Sequence, residues 1–210
     1  MIIAPPTPKI PAIPIEVFGS PNRTRQPNKS DFNSRKKEID PIMKQEVCDL
    51  MNRQITEELY SAYLYLNFSD FFAETGLDGY AHWFRVQASE ELSHAMRIVC
   101  FLLDNDLQVR LYEIPAPEYI VPDPATVPDL LVAALEHEKE ITALIHKLVE
   151  VATRADDLRT VNFLDWFVSE QSEEEINASN LIHQYELYGN DSAGLIILDR
   201  ELANRPGANS

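Results

Sequence analysis

Glycine is scarce in this chain of 210 residues, with 6 in all. Strand-like alternation is weak too, so an all-helical architecture is favoured over any sheet. The two cysteines, Cys48 and Cys100, form no CxxC pair and no zinc spacing. Both read as small buried residues in a reducing compartment. No run of 18 apolar residues exists, so no membrane span is expected. No continuous apolar stretch opens the chain, so no secretory signal is expected, and a cytoplasmic location follows.

Basic residues are few except at the start. Residues 1–40 hold 7 Lys/Arg and 4 Asp/Glu, a net of +3, whereas residues 41–210 hold 11 and 30, a net of −19. The acidic part repels phosphate, which disfavours nucleic acid as its partner, and it suits cations. Residues 1–40 carry 7 of the 14 prolines together with Arg23, Arg25, Lys29, Arg35, Lys36 and Lys37. Such a stretch buries too little apolar area to order itself and reads as a Pro-rich, basic, flexible arm. A contact with nucleic acid through this arm is a minor alternative. Residues 41–210 read as one folded domain.

Within that domain five helices are expected. Asp40 caps the first, with Pro41 at its first position, and Gly76 stops it after about Glu74. The second runs from about Asp78 to Asp106, the third from near Pro128 to Arg154, and the fourth from near Asp157 to Gly189. A short fifth follows Asp191, with Leu195, Ile196 and Leu198 as its apolar side. Short turns make the first and second helices antiparallel, and likewise the third and fourth. The segment Leu107 to Val127, with Pro115, Pro117, Pro122 and Pro124, is long for a loop. At about 3.3 Å per residue it can run the length of a helix of ~28 residues, so the second and third helices can lie parallel. The expected fold is therefore an all-α four-helix bundle with one long crossover and a short C-terminal fifth helix.

Apolar seams traced at spacings of three and four give Met51, Ile55, Glu58, Ala62 and Tyr65 on the first helix, and Phe84, Gln87, Glu91, His94, Ile98 and Phe101 on the second. The third gives Leu131, Ala134, Glu138, Ile141, Ile145 and Leu148; the fourth gives Phe163, Phe167, Gln171, Glu174, Ala178, Leu181 and Tyr185. A carboxylate interrupts every seam at mid-helix. Four converging carboxylates cannot all stay ionised in a core without compensation. Arg97 and Lys139 lie off the seams, so a bound polycation is the remaining remedy. Glu91-x-x-His94 puts both side chains on one face, one turn apart. Oxygen donors with one imidazole suit a redox-capable first-row metal such as iron. On the third helix Glu136 and Glu140 are close alternatives to Glu138. His82, His137, His146 and His183 lie off the seams and read as surface or packing residues, and Glu175 reads as solvated.

Three segments carry a resemblance: Glu57-Glu58-Leu59-Tyr60-Ser61, Ser89-Glu90-Glu91-Leu92-Ser93-His94, and the fourth-helix string from Asn162 to Glu175. In these the chain resembles the bacterial non-haem ferritins over about residues 41–203. The resemblance implies a ferritin-like bundle. It implies that Glu58, Glu91 and His94 hold one iron, that Glu91 bridges to a second, and that Glu138 and Glu174 complete that second site. Gln171 would lie beside the centre; Glu90, Glu170 and Glu173, with Glu174 shared, would form a third iron site; Tyr65 and Trp166 would supply electrons. It implies a ferroxidase in which two ferrous ions reduce dioxygen or hydrogen peroxide as a pair, and storage of the ferric product as mineral inside a homo-oligomeric cage of 24 subunits. Haem is not expected: the fourth helix offers Gln171-x-x-Glu174 without a second histidine, and Leu92 stands where a haem-binding relative needs methionine.

Overall fold

The computed structural model describes residues 45–117 and 126–207. The basic arm of residues 1–40, the cap at Asp40 and Pro41, and the middle of the crossover lie outside these described residues. Four long helices dominate: α1 (Gln45–Glu74), α2 (Asp78–Asp104), α3 (Val127–Arg154) and α4 (Leu158–Gln184). A π-helical turn, Tyr185–Gly189, prolongs α4, and α5 (Ser192–Leu202) follows it. Among the described residues none is in a strand, and no helix is long and apolar enough to cross a membrane.

Three helix ends close in the same way. After α1, Gly76 takes φ +79° and the Leu77 N–H bonds back to Phe72 O at 2.9 Å. After α2, Asp106 takes φ 56° and Leu107 N–H reaches Leu102 O at 2.9 Å. After α3, Asp156 takes φ 58° and Asp157 N–H reaches Ala152 O at 3.0 Å. Each is a Schellman-type stop. Aspartate tolerates the left-handed region better than most side chains, so two of the three stops need no glycine. The stop at Asp106 also explains why α2 ends at Asp104, two residues before the boundary expected from the sequence. Asp157 then caps α4 by accepting from Thr160 N–H at 3.1 Å.

Contacts along the helices establish their directions. Ser69 of α1 donates to Ala81 O near the start of α2, while Asn52 near the start of α1 donates to Gln108 O just beyond its end. Phe101 and His94 of α2 meet Phe163 and Trp166 of α4. Tyr65 of α1 meets Glu138 of α3, and Glu46 meets Arg154. So α1 is antiparallel to both α2 and α3, and α2 is antiparallel to α4. That leaves α2 and α3 parallel, joined by the long crossover.

The seams face inward. Of the seam residues named above, all are buried except Ala62, Phe101, Phe163 and Tyr185, which are half-buried. They form two apolar clusters. One includes Met51, Ile55, Ile98, Ile141, Leu148 and Phe167; the other includes Tyr65, Phe72, Phe84, Leu131 and Leu181. One expectation is corrected. Cys48 is buried, but Cys100 is exposed, because two positions past Ile98 the helix turns about 200° away from the core. Of the two roles open to His137, surface or packing, the structure shows packing: it is buried, and its ring lies 2.7 Å from the Ser61 hydroxyl.

The fifth helix packs on the start of α2. Asp199 Oδ1 accepts from Gly79 N–H at 2.8 Å and Tyr80 N–H at 3.0 Å, which satisfies donors that the first turn of α2 leaves open. A Cβ on Gly79 would stand 1.6 Å from Asp199 O, so only glycine allows this approach. Gly79→Ala should therefore cost about 1–3 kcal/mol through overpacking and lower Tm by several degrees. A thermal melt followed by circular dichroism checks this; an unchanged Tm would mean that α5 is not held at that point.

Candidate metal centre

Between the two apolar clusters lies a polar layer. Every long helix contributes at mid-length: Glu58 from α1, Glu91 and His94 from α2, Glu138 from α3, Gln171 and Glu174 from α4. All six are at most 5 % exposed. Of the three carboxylates on the middle of α3 only Glu138 is buried; Glu140 is exposed, and Glu136 is exposed and paired with Lys139 at 2.7 Å. Glu58, Glu91 and His94 bring ligand atoms within 4.8 Å of one another, and His94, Glu170 and Glu174 do the same. The imidazole stands between these groupings. Its Nδ1 is 3.3 Å from Glu91 and 3.9 Å from Glu58, and its Nε2 is 3.8 Å from Glu170.

The carboxylates are held from behind by neutral donors. Gln54 Nε2 donates to Glu58 Oε1 at 3.0 Å, and Gln87 Nε2 donates to Glu91 Oε1 at 3.2 Å. Gln87 also hydrogen-bonds Glu174. Gln171 Nε2 donates to Glu138 Oε2 at 3.2 Å, and the Tyr65 hydroxyl donates to Glu138 Oε1. Gln54 was missed by the seam reading, and Gln87 was placed in the core without a role. Both stand four residues before a site glutamate, a spacing that puts amide and carboxylate on one helix face.

Charge is what these neutral bonds do not supply. Among the described residues, His94 is the only basic group paired with the four buried glutamates. Arg97, one turn beyond, lies over the Trp166 ring at 4.0 Å instead. Glu58 Oε2 alone among the buried side-chain nitrogens and oxygens of the described residues has no hydrogen-bond partner. Burial, and then the Glu91 charge, hold the Glu58 carboxyl well above its ordinary range. Burial, with Glu138 and Glu174 adding to it, does the same to Glu91. Burial raises Glu138, and burial with Glu138 beside it pushes Glu174 up to about 8. Tyr65 is likewise raised, by burial first and by the Glu138 charge second. An orphaned carboxylate oxygen among acids that retain protons is what a site for cations looks like when only its donors are considered.

The outer residues divide. Glu90 and Glu170 are half-buried; burial raises the Glu90 carboxyl against the opposing charges of Arg205 and His94, and Glu170 Oε1 lies 3.8 Å from His94 Nε2. Glu173 is exposed and lies in neither ligand grouping. Glu175, expected to be solvated, is half-buried and accepts from Thr142 at 2.6 Å. Trp166 packs edge-on against His94, with ring centroids 5.4 Å apart.

The chain is similar to known proteins over most of its length. A model of the ferritin-like domain matches residues 48–188. The chain is 36% identical over 163 residues to a bacterial non-heme ferritin of Campylobacter jejuni, covering 78% of this chain and 96% of the relative. It is 34% identical over 164 residues to a bacterial non-heme ferritin of Escherichia coli, covering 77% and 96%. Among solved structures it is similar to an open pore ferritin from Archaeoglobus fulgidus, with TM-score 0.75 and 38% identity over 79% of this chain and 99% of that one.

The raised carboxyls predict a pH dependence. In the folded, metal-free chain they keep protons that the unfolded chain loses near 4.5, so folding binds protons and stability falls as pH rises toward about 8, the value for Glu174. A metal-free sample should melt at a lower temperature at pH 8 than at pH 6, and a divalent cation should reverse the difference. A melting temperature that is flat or rises from pH 6 to 8 without metal would contradict the assignment.

Proposed function

The chain belongs to the ferritin family, and from that premise we propose that it oxidises ferrous iron at the buried carboxylate layer and stores the ferric product inside a hollow assembly of its own copies. One observation carries the reading. Glu58, Glu91, Glu138 and Glu174 are buried together with a single histidine as their only basic partner among the described residues. Two divalent cations bring four positive charges to those four carboxylates. Oxygen donors and one imidazole suit ferrous and ferric iron alike.

In this reading Glu58, Glu91 and His94 take the first iron, Glu91 bridges, and Glu138 and Glu174 take the second. Glu90, Glu170 and Glu173, with Glu174 shared, form a third site toward the surface. The two ferrous ions supply two electrons. Dioxygen with two protons then leaves as hydrogen peroxide, or hydrogen peroxide with two protons leaves as two waters. The chain's own part is to position and compensate charge. Gln54, Gln87, Gln171 and Tyr65 fix the carboxylates, and the glutamates give up their retained protons as cations bind. Tyr65, bonded to Glu138, and Trp166, against His94, are placed to supply further electrons.

The net charge of −19 on residues 41–210 draws iron toward the assembly, which we take to contain 24 subunits. Residues 1–40, with their net charge of +3, are proposed as a segment apart from this domain. A cytoplasmic location suits the free thiols of Cys48 and Cys100.

Stopped-flow oxidation of ferrous iron by wild type and Glu91→Ala tests the chemistry. The variant should be slower by ~10-fold or more, since it loses the bridging carboxylate. Equal rates would reduce the protein to a passive iron buffer. Native mass measurement of the iron-loaded protein tests storage: a large closed oligomer is expected, and a dimer would remove the storage reading while leaving the centre in place.

A further inference from the structure

Beyond α5 the chain turns back over α2, and Arg205 comes to rest beside the polar layer. Its placement is over-determined. Leu198, Leu195 and Leu202 of α5 pack in the same apolar cluster as Tyr80 and Trp83. Arg205 N–H bonds to Leu202 O at 3.1 Å, and its carbonyl meets the His82 ring at 2.9 Å. The guanidinium lies over the Trp83 ring at 4.3 Å and donates to Trp83 O at 3.3 Å.

From there it reaches two side chains on the next turns of α2. Nη2 donates to Glu90 Oε2 at 2.5 Å, and Nη1 donates to Gln87 Oε1 at 3.0 Å. The second bond has a consequence inside the centre. An amide has one accepting end and one donating end. Arg205 takes the accepting end of Gln87, so the NH2 end faces Glu91 at 3.2 Å and Glu174. Turned the other way, the carbonyl oxygen would face two carboxylates and the NH2 would face a guanidinium. Both contacts would be repulsive. A planar fork spans Gln87 and Glu90 at once, which the single ammonium of lysine does not reproduce.

We propose that Arg205 is a positioning residue for the buried cation centre: it locks the Gln87 amide and, through it, the Glu91 carboxylate. The inference rests on the reading of that centre as a cation site. Through it the C-terminal tail acts on a carboxylate that Arg205 does not touch. Loss of Arg205 lets Gln87 flip and leaves Glu91 free to turn.

Cobalt(II) titration of the metal-free protein tests this, because its visible bands report ligand geometry independently of iron oxidation. Arg205→Gln should weaken cobalt binding at the buried centre by ~10-fold, as loss of an outer partner does at metal sites, and should shift the bands. Arg205→Lys should not restore the wild-type spectrum. Gln87→Met should show the same loss, and the double variant should be no worse than Gln87→Met alone, because both act through one bond. A matched thermal melt shows whether any change is only a loss of fold. Wild-type affinity and bands in Arg205→Gln, or losses that add in the double variant, overturn the proposal. If wild type binds no cobalt that Glu58→Ala abolishes, the centre itself falls and this inference with it; normal wild-type binding with an indifferent Arg205→Gln removes the inference alone.

Discussion

Four carboxylates in one buried layer repel one another, and burial penalises the charge on each. This is the constraint around which the bundle is built. An apolar layer there would stabilise the fold more, and the two clusters on either side show that the chain can pack one. Instead Glu58, Glu91, Glu138 and Glu174 occupy buried positions on the same helix faces as Ile55, Ile98, Ile141 and Leu181. Without a cation the layer holds together by keeping protons and by accepting bonds from Gln54, Gln87, Gln171 and Tyr65. With cations the protons are displaced and the same bonds aim the carboxylates. Stability is thus set against function at one level of the core, while the apolar clusters supply the stability.

The topology serves this layer. Each pair of neighbouring helices is antiparallel, except that α2 and α3 are made parallel by the crossover, and each helix presents its mid-length polar residue at the same height. The tight stops at Gly76 and Asp156 keep α1 against α2 and α3 against α4 without slack. The bond from Asp199 to the first turn of α2 ties α5 to the same helix that carries Glu91 and His94. Arg205 is the end of that tie.

What could be seen in the sequence was whatever repeats locally. The five helices were visible because caps and stops bracket apolar seams that repeat at 3.6 residues. Glu58, Glu91, His94, Glu138 and Glu174 stood out because each breaks an apolar seam. His137 was not, because α3 buries a stripe wider than two positions per turn, taking in His137 beside Ala134, Glu138 and Ile141. Gln54 and Gln87 carried a visible signal, the spacing of four before a glutamate, but amides at that spacing are common on helices. Arg205 carried none: 118 residues separate it from Gln87, and only the docking of α5 brings them together. Glu173 belongs to the resembling string, yet it lies on the exposed side of α4, two positions from the inward-facing Gln171.

The central claim, that the buried layer is a site for a pair of irons, is tested most directly by crystals of the protein soaked anaerobically with ferrous iron and measured at the iron absorption edge. Two anomalous peaks are expected in the core of each subunit, one among Glu58, Glu91 and His94 and one among Glu91, Glu138 and Glu174. A core without peaks, with iron only on surface carboxylates, would contradict it.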